Sequence, residues 1–144
     1  MMMATSADLQ VRAYRESDRA ALIRLWEVSF PDDPPHNAPA ANLDRKLARD
    51  DLVFVVLAGD KLIGGCMAGW DGHRGWVYSV AVSPAERGTG AGRRLMSHVE
   101  AVLASKGCTK LNLQVRSTNS DVIRFYESLG FSVEERVSMG KKLG

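Results

Sequence analysis

One short run could hold a phosphate: Arg87-Gly88-Thr89-Gly90-Ala91-Gly92, followed at once by Arg93-Arg94. Alternating glycines let a chain turn sharply and bring its backbone close to a ligand with no Cβ in the way. The residues after them are apolar at Leu95, Met96, Val99, Val102 and Leu103, the spacing of one helix face. The first amides of such a helix have no carbonyl partners and lie at the positive end of its dipole, which suits a phosphate or pyrophosphate. Arg87, Arg93 and Arg94 add fixed positive charge. The spacing departs from the dinucleotide fingerprint, which needs glycine where Arg93 stands, and from the triphosphate loop, which needs Gly-Lys-Ser/Thr. Read alone, the run also fits a glycine-rich surface turn before an ordinary helix.

The elements around this corner follow from pattern. Val77-Tyr78-Ser79-Val80-Ala81-Val82 reads as a buried strand leading into it. Upstream, Leu9, Val11 and Ala13 alternate as a first strand, and Ser17 or Asp18 can cap a helix whose face carries Leu22, Leu25, Trp26 and Phe30. Pro31 to Asn37 reads as a loop, Asn42 to Arg49 as a second helix, and Val53 to Leu57 as a strand that turns at Gly59-Asp60 into Lys61 to Trp70. Downstream, Lys106-Gly107 stops the central helix and Lys110 to Arg116 alternates as a strand. Asn119 or Ser120 caps a helix bearing Val122, Phe125, Tyr126 and Leu129, with Gly130 at its end. Phe131 to Val137 and Met139 to Leu143 are expected to close the sheet. The order implies an α/β fold, an α+β mixed sheet of six to seven strands with helices on both faces.

The 144 residues suit one domain, 1–144. A chain 45% hydrophobic and 25% charged is an ordinary globular one, and a net charge of +2 is too small to argue for nucleic acid. Cys66 and Cys108 show no metal spacing and no disulfide framework, so no metal is expected and a reduced, cytoplasmic setting is the simplest reading. Met1-Met2-Met3 opens a short polar tail with no apolar signal core, and no run approaches a membrane span.

Two of these motifs resemble those of the GNAT N-acetyltransferases. Arg87, Gly90 and Gly92 occupy the fixed positions of that family's acyl-CoA signature, and Asn119-(x)5-Phe125-Tyr126-(x)3-Gly130-Phe131 matches its second one. The element order is similar over nearly the whole chain. A closer likeness, to the YpeA-like group of small bacterial GNATs, rests on the Asp71 to Gly75 turn and the Gly140 to Leu143 end.

The resemblance implies an acetyl-CoA-dependent transfer to a primary amine, by direct attack on the thioester in a ternary complex. It places the pyrophosphate on Arg87, Gly88, Thr89, Gly90, Ala91, Gly92 and Arg93. It places pantetheine along Val80, Ala81 and Val82, in a gap between splayed fourth and fifth strands, with Asn119 and Tyr126 beside it. Tyr126 becomes the general acid: a phenol with ordinary pKa ~10 can protonate a thiolate whose conjugate acid lies near ~8.5. Some relatives use a fifth-strand glutamate as base, but Gln114 stands there and cannot take a proton. His73 is a candidate base, since an imidazole titrates near ~6.5, and a water oriented by Gln114 is another. Asp71 otherwise reads as turn chemistry.

The acceptor, a small-molecule or peptide amine, would approach past Trp26 and Phe30, with Asp32, Asp33, His36 and Asn37 on the same side, and past Asp71 and Gln114. Trp70 and Trp76 read as packing residues. The competing reading is a non-catalytic acyl-CoA sensor or interaction module. No nucleic acid or membrane partner is expected. Homodimers are common among relatives, and this chain does not decide the point.

Overall fold

A strand apolar at every position needs cover on both faces, and Val53 to Leu57 receives it: all five residues are buried. The computed structural model describes residues 8–144, so the expected tail at Met1-Met2-Met3 lies outside the described residues. The described chain forms two compact units, residues 8–113 and Gln114–Gly144.

The first unit holds β1 (Leu9–Ala13), α1 (Arg19–Ser29), α2 (Pro39–Arg49), β2 (Val53–Ala58), β3 (Lys61–Trp70), β4 (Gly75–Val82), α3 (Ala91–Ser105) and β5 (Leu111–Asn112). The strands lie in the order β1-β2-β3-β4-β5. The first three pairings are antiparallel and β4–β5 is parallel. Side chains alternate across a strand. Val53, Val55 and Leu57 therefore share one face, where they join Leu22, Leu25 and Trp26 of α1 and Leu43 of α2 in a buried cluster. Phe54 points the other way and meets His98 of α3 edge-on, ring centroids 5.3 Å apart. Helices thus cover both faces.

One buried charge joins β1 to the start of α1. Arg12 donates from Nη1 and Nη2 to the two oxygens of Asp18 at 2.7 and 3.0 Å, and the Arg15 amide donates to Oδ2 at 2.8 Å. Burial alone would push the Asp18 carboxyl up, but these donors hold it below the usual carboxylate range. Asp18 therefore spends its side chain on Arg12 and the Arg15 amide instead of capping α1.

The second unit holds α4 (Ser120–Ser128). Asn119 caps it, Oδ1 accepting from the Val122 amide at 3.4 Å. Gly130 follows with φ 97°, the left-handed residue expected after a helix.

Several expectations are corrected. Five strands are present among the described residues, where six to seven were expected. Phe131 to Val137 and Met139 to Leu143 form no strand, and Val133, Val137, Met139 and Leu143 are all exposed. A β-branched pattern makes a strand only where a partner edge and burial are supplied. The fifth strand shrinks from Lys110–Arg116 to Leu111–Asn112, since parallel pairing reaches only Gly75 and Trp76 of β4. α2 starts earlier than Asn42, because Pro39 fits its first turn.

Candidate active site

The glycine corner turns the chain from β4 into α3 and leaves the first helix amides without backbone partners. After β4 a 3-10 turn, Pro84–Glu86, carries the chain round. Gly88 and Gly90 then take φ 86° and 87°, a region that L side chains avoid. The first hydrogen bond of α3 runs from the Arg94 amide to the Gly90 carbonyl at 3.0 Å. The amides of Ala91, Gly92 and Arg93 precede it and have no backbone carbonyl partner among the described residues. Thr89 stiffens the loop: its hydroxyl donates to the Glu86 carbonyl at 2.7 Å. Arg87 and Arg93 are exposed beside it.

The strand leading to this corner is broken by a bulge. Gly65 pairs with Ala81 and Met67 with Tyr78, so two steps along β3 match three along β4. Ser79 and Val80 are left without a register partner in β3. Ser79 has φ 52°, the one non-glycine residue in the left-handed region among the described residues. Its carbonyl accepts from the Trp26 indole Nε1 at 2.8 Å. On its other side β4 pairs with β5 only at Gly75 and Trp76, so among the described residues Val77 to Val82 have no strand partner there.

Trp26 is therefore no lining residue of an acceptor surface: it is 2% exposed and its one polar atom is committed to the bulge. Phe30 is half-buried and packs against the same core cluster. Asp32, Asp33, His36 and Asn37 are exposed. At the β3–β4 turn, Asp71 Oδ1 accepts from the His73 and Arg74 amides at 2.7 and 2.8 Å. The Arg74 and His73 amides hold the Asp71 carboxyl below its ordinary range. His73 is exposed on the turn. Trp76 does more than pack: its ring lies nearly parallel to that of Tyr78, centroids 6.4 Å apart, and Tyr78 is 47% exposed. Burial of part of the ring, with the Asp71 charge nearby, raises the Tyr78 phenol above its usual pKa.

In the second unit Tyr126 is buried, its ring edge-on to Phe125 and Phe131 at 5.1 and 5.6 Å. The exposed Gln114 donates from Nε2 to the Ser138 hydroxyl at 2.7 Å.

Residues 19–131 match the model of the acetyltransferase (GNAT) family. The chain belongs to that family. This GNAT protein is 38% identical over 136 residues to an acetyltransferase of Pectobacterium atrosepticum, covering 94% of this chain and 96% of that one. It is 37% identical to one of Yersinia enterocolitica over the same shares. Among solved structures it is similar to the aminoglycoside N-acetyltransferase AAC(6')-Iy in complex with a bisubstrate analog (TM-score 0.80, 20% identity, 94% and 99% covered). It is also similar to an acetyltransferase of Trypanosoma brucei (TM-score 0.71, 27% identity, 94% and 100% covered). These names do not speak to the subgroup likeness drawn from the Asp71 turn and the Gly140 to Leu143 end.

What pattern reading missed in this GNAT acetyltransferase is the bulge. A regular strand would put Val77 and Ala81 on one face. Val77 shares parity with Gly75, where a Cβ would meet Leu103 of α3, yet Ala81 sits in the cluster with Leu22 and Trp26.

Proposed function

We propose that this chain transfers an acetyl group from acetyl-CoA to a primary amine, by direct attack of the amine on the thioester in a ternary complex. The observation that carries the reading is the corner. Three helix amides without carbonyl partners stand behind a left-handed Gly90, with exposed Arg87 and Arg93 beside them. They suit a pyrophosphate in number and direction. In this reading Gly88 and Thr89 shape the loop, Ala91, Gly92 and Arg93 supply amides, and the open edge of β4 at Val80, Ala81 and Val82 pairs with the pantetheine arm. AAC(6')-Iy, which has been solved with CoA, supports this use of the fold.

The chemistry then runs on few groups. The amine nitrogen bonds to the thioester carbon, the carbon–sulfur bond breaks, and the products are the N-acetyl amine and CoA. The Val80 amide donates to the thioester oxygen as charge develops there. Tyr126 protonates the leaving thiolate, Asn119 orders the arm, and the amine proton leaves to a bound water, since His73 on the β3–β4 turn stands about five residues of extended strand from Val80. The acceptor is a small-molecule or peptide amine.

Calorimetric titration with acetyl-CoA, followed by an amine panel read by CoA release, tests the reading. Wild type should bind and turn over. Tyr126→Phe should keep its acetyl-CoA affinity and lose about tenfold or more in kcat. Full turnover in that variant would remove Tyr126 as acid. Binding with no transfer to any amine would assign a sensor instead.

A further inference from the structure

The bulge in β4 is held from outside its own sheet, by one atom of α1. The geometry points to Trp26 as a positioning residue for acetyl transfer: its indole N–H, by holding the Ser79 carbonyl, aims the Val80 amide. This rests on the acetyl-transfer reading above and names how that site is kept in order.

The argument begins with the peptide unit. The Ser79 carbonyl and the Val80 N–H belong to the same planar group, and the described chain has no cis peptide bond. In a trans unit the two dipole ends point in opposite directions. Fixing the oxygen against the indole at 2.8 Å therefore fixes the N–H on the side away from α1. Nothing in the β3 ladder does this, since neither Ser79 nor Val80 has a register partner there.

The surroundings show why α1 can reach. Leu22 and Trp26 lie one turn apart on its buried face, at 0% and 2% exposure. Opposite them is Gly65 of β3, where a Cβ would sit 2.5 Å from Leu22 Cδ1. The missing side chain lets the helix lie close to the sheet at the level of the bulge. Trp26 is also too buried for water to replace its N–H.

The strain gives the clamp something to resist. A left-handed Ser79 costs roughly 1 kcal/mol or more relative to extended backbone. Without its donor the carbonyl is a part-buried acceptor that has lost its partner, and the peptide gains by rotating. A rotated unit carries the Val80 N–H out of line with the developing oxyanion. Donors of that kind act only when already aimed, which is why kcat and not binding should report the loss.

The test uses the full chain with Trp26→Phe, and a second protein carrying benzothienylalanine at 26, an isostere with sulfur in place of N–H. Both should keep affinity for desacetylated CoA within about twofold, while kcat falls about tenfold or more. The carbonyl 13C resonance of Ser79 should move upfield in both, as a carbonyl does on losing its donor. A folded isostere protein with wild-type kcat would overturn the proposal, as would a kcat loss matched by an equal loss of CoA affinity. If wild type acetylates nothing, the reading of the reaction fails instead. The Ser79 carbonyl resonance then still decides the clamp, with an unchanged shift in the isostere protein overturning it.

Discussion

Gly90→Val separates the backbone strain of the corner from its ligand chemistry. Gly90 has φ 87°, so a valine there costs about 1–2 kcal/mol of folding stability or pulls the loop out of shape. At about 3 °C per kcal/mol for a chain of this size, that is a Tm drop of about 3–6 °C. Gly59 gives the matched control. It has φ 61° in the β2–β3 turn, and a Cβ there meets nothing within 4 Å. Gly59→Val should therefore lose similar stability and leave the corner untouched. The two variants part on acetyl-CoA. Displacing even one amide from a charged oxygen forfeits about 1.5–3 kcal/mol, or about ten- to a hundredfold in Kd. Calorimetry of wild type, Gly90→Val and Gly59→Val under one condition reads the difference. Equal affinity in the two variants would refute the placement of the pyrophosphate at Ala91 to Arg93.

Two further predictions concern charge and thiols. Asp18 is held below its unfolded pKa, so its stabilisation is fully present above about pH 4 and is lost as pH falls through the folded value. Asp18→Asn should lower the urea midpoint at pH 7 by the equivalent of about 1–3 kcal/mol, and by less as pH falls below the ordinary carboxylate range; equal midpoints at pH 7 would sink this account. Burial pushes the Cys66 thiol up to about 12, while Cys108 is half-exposed. A thiol reagent at neutral pH should label Cys108 in the native protein and reach Cys66 only in denaturant, a pattern that mass mapping of the adduct would confirm or reject.

The corner was legible in sequence because everything in it is local: glycines where the backbone must turn, and an apolar face of helical period directly after them. The hairpin at Gly59-Asp60 and the caps at Asn119 and Gly130 were legible for the same reason. The bulge was hidden because Val77 to Val82 carries one hydroxyl on each face, at Tyr78 and Ser79, among small apolar residues, so a change of parity leaves no trace in the pattern. Trp26 fell on the correct helix face, but its partner is 53 residues away, and no spacing rule connects an indole to a strand carbonyl. The closing strands failed for a related reason. Alternation at Phe131 to Val137 signals what a partner edge would bury, not that an edge is there.

The strand order equals the chain order, and this sets a folding route. β2, β3 and β4 are joined by turns of a few residues, so their loops close at small entropic cost. Leu9 must find Ala58 across both early helices, and Gly75 must find Leu111 across α3. Meanders rich in short-range pairings form early, and pairings across long loops follow. The ladder of β2 to β4, with the register that creates the bulge, should therefore be laid down before β1 docks and before β5 closes the parallel edge. Pulse-labelled exchange during refolding would show the Val56 amide, which faces β3, protected ahead of the Arg12 amide, which faces β2; the reverse order would mean that α1 and β1 template the sheet.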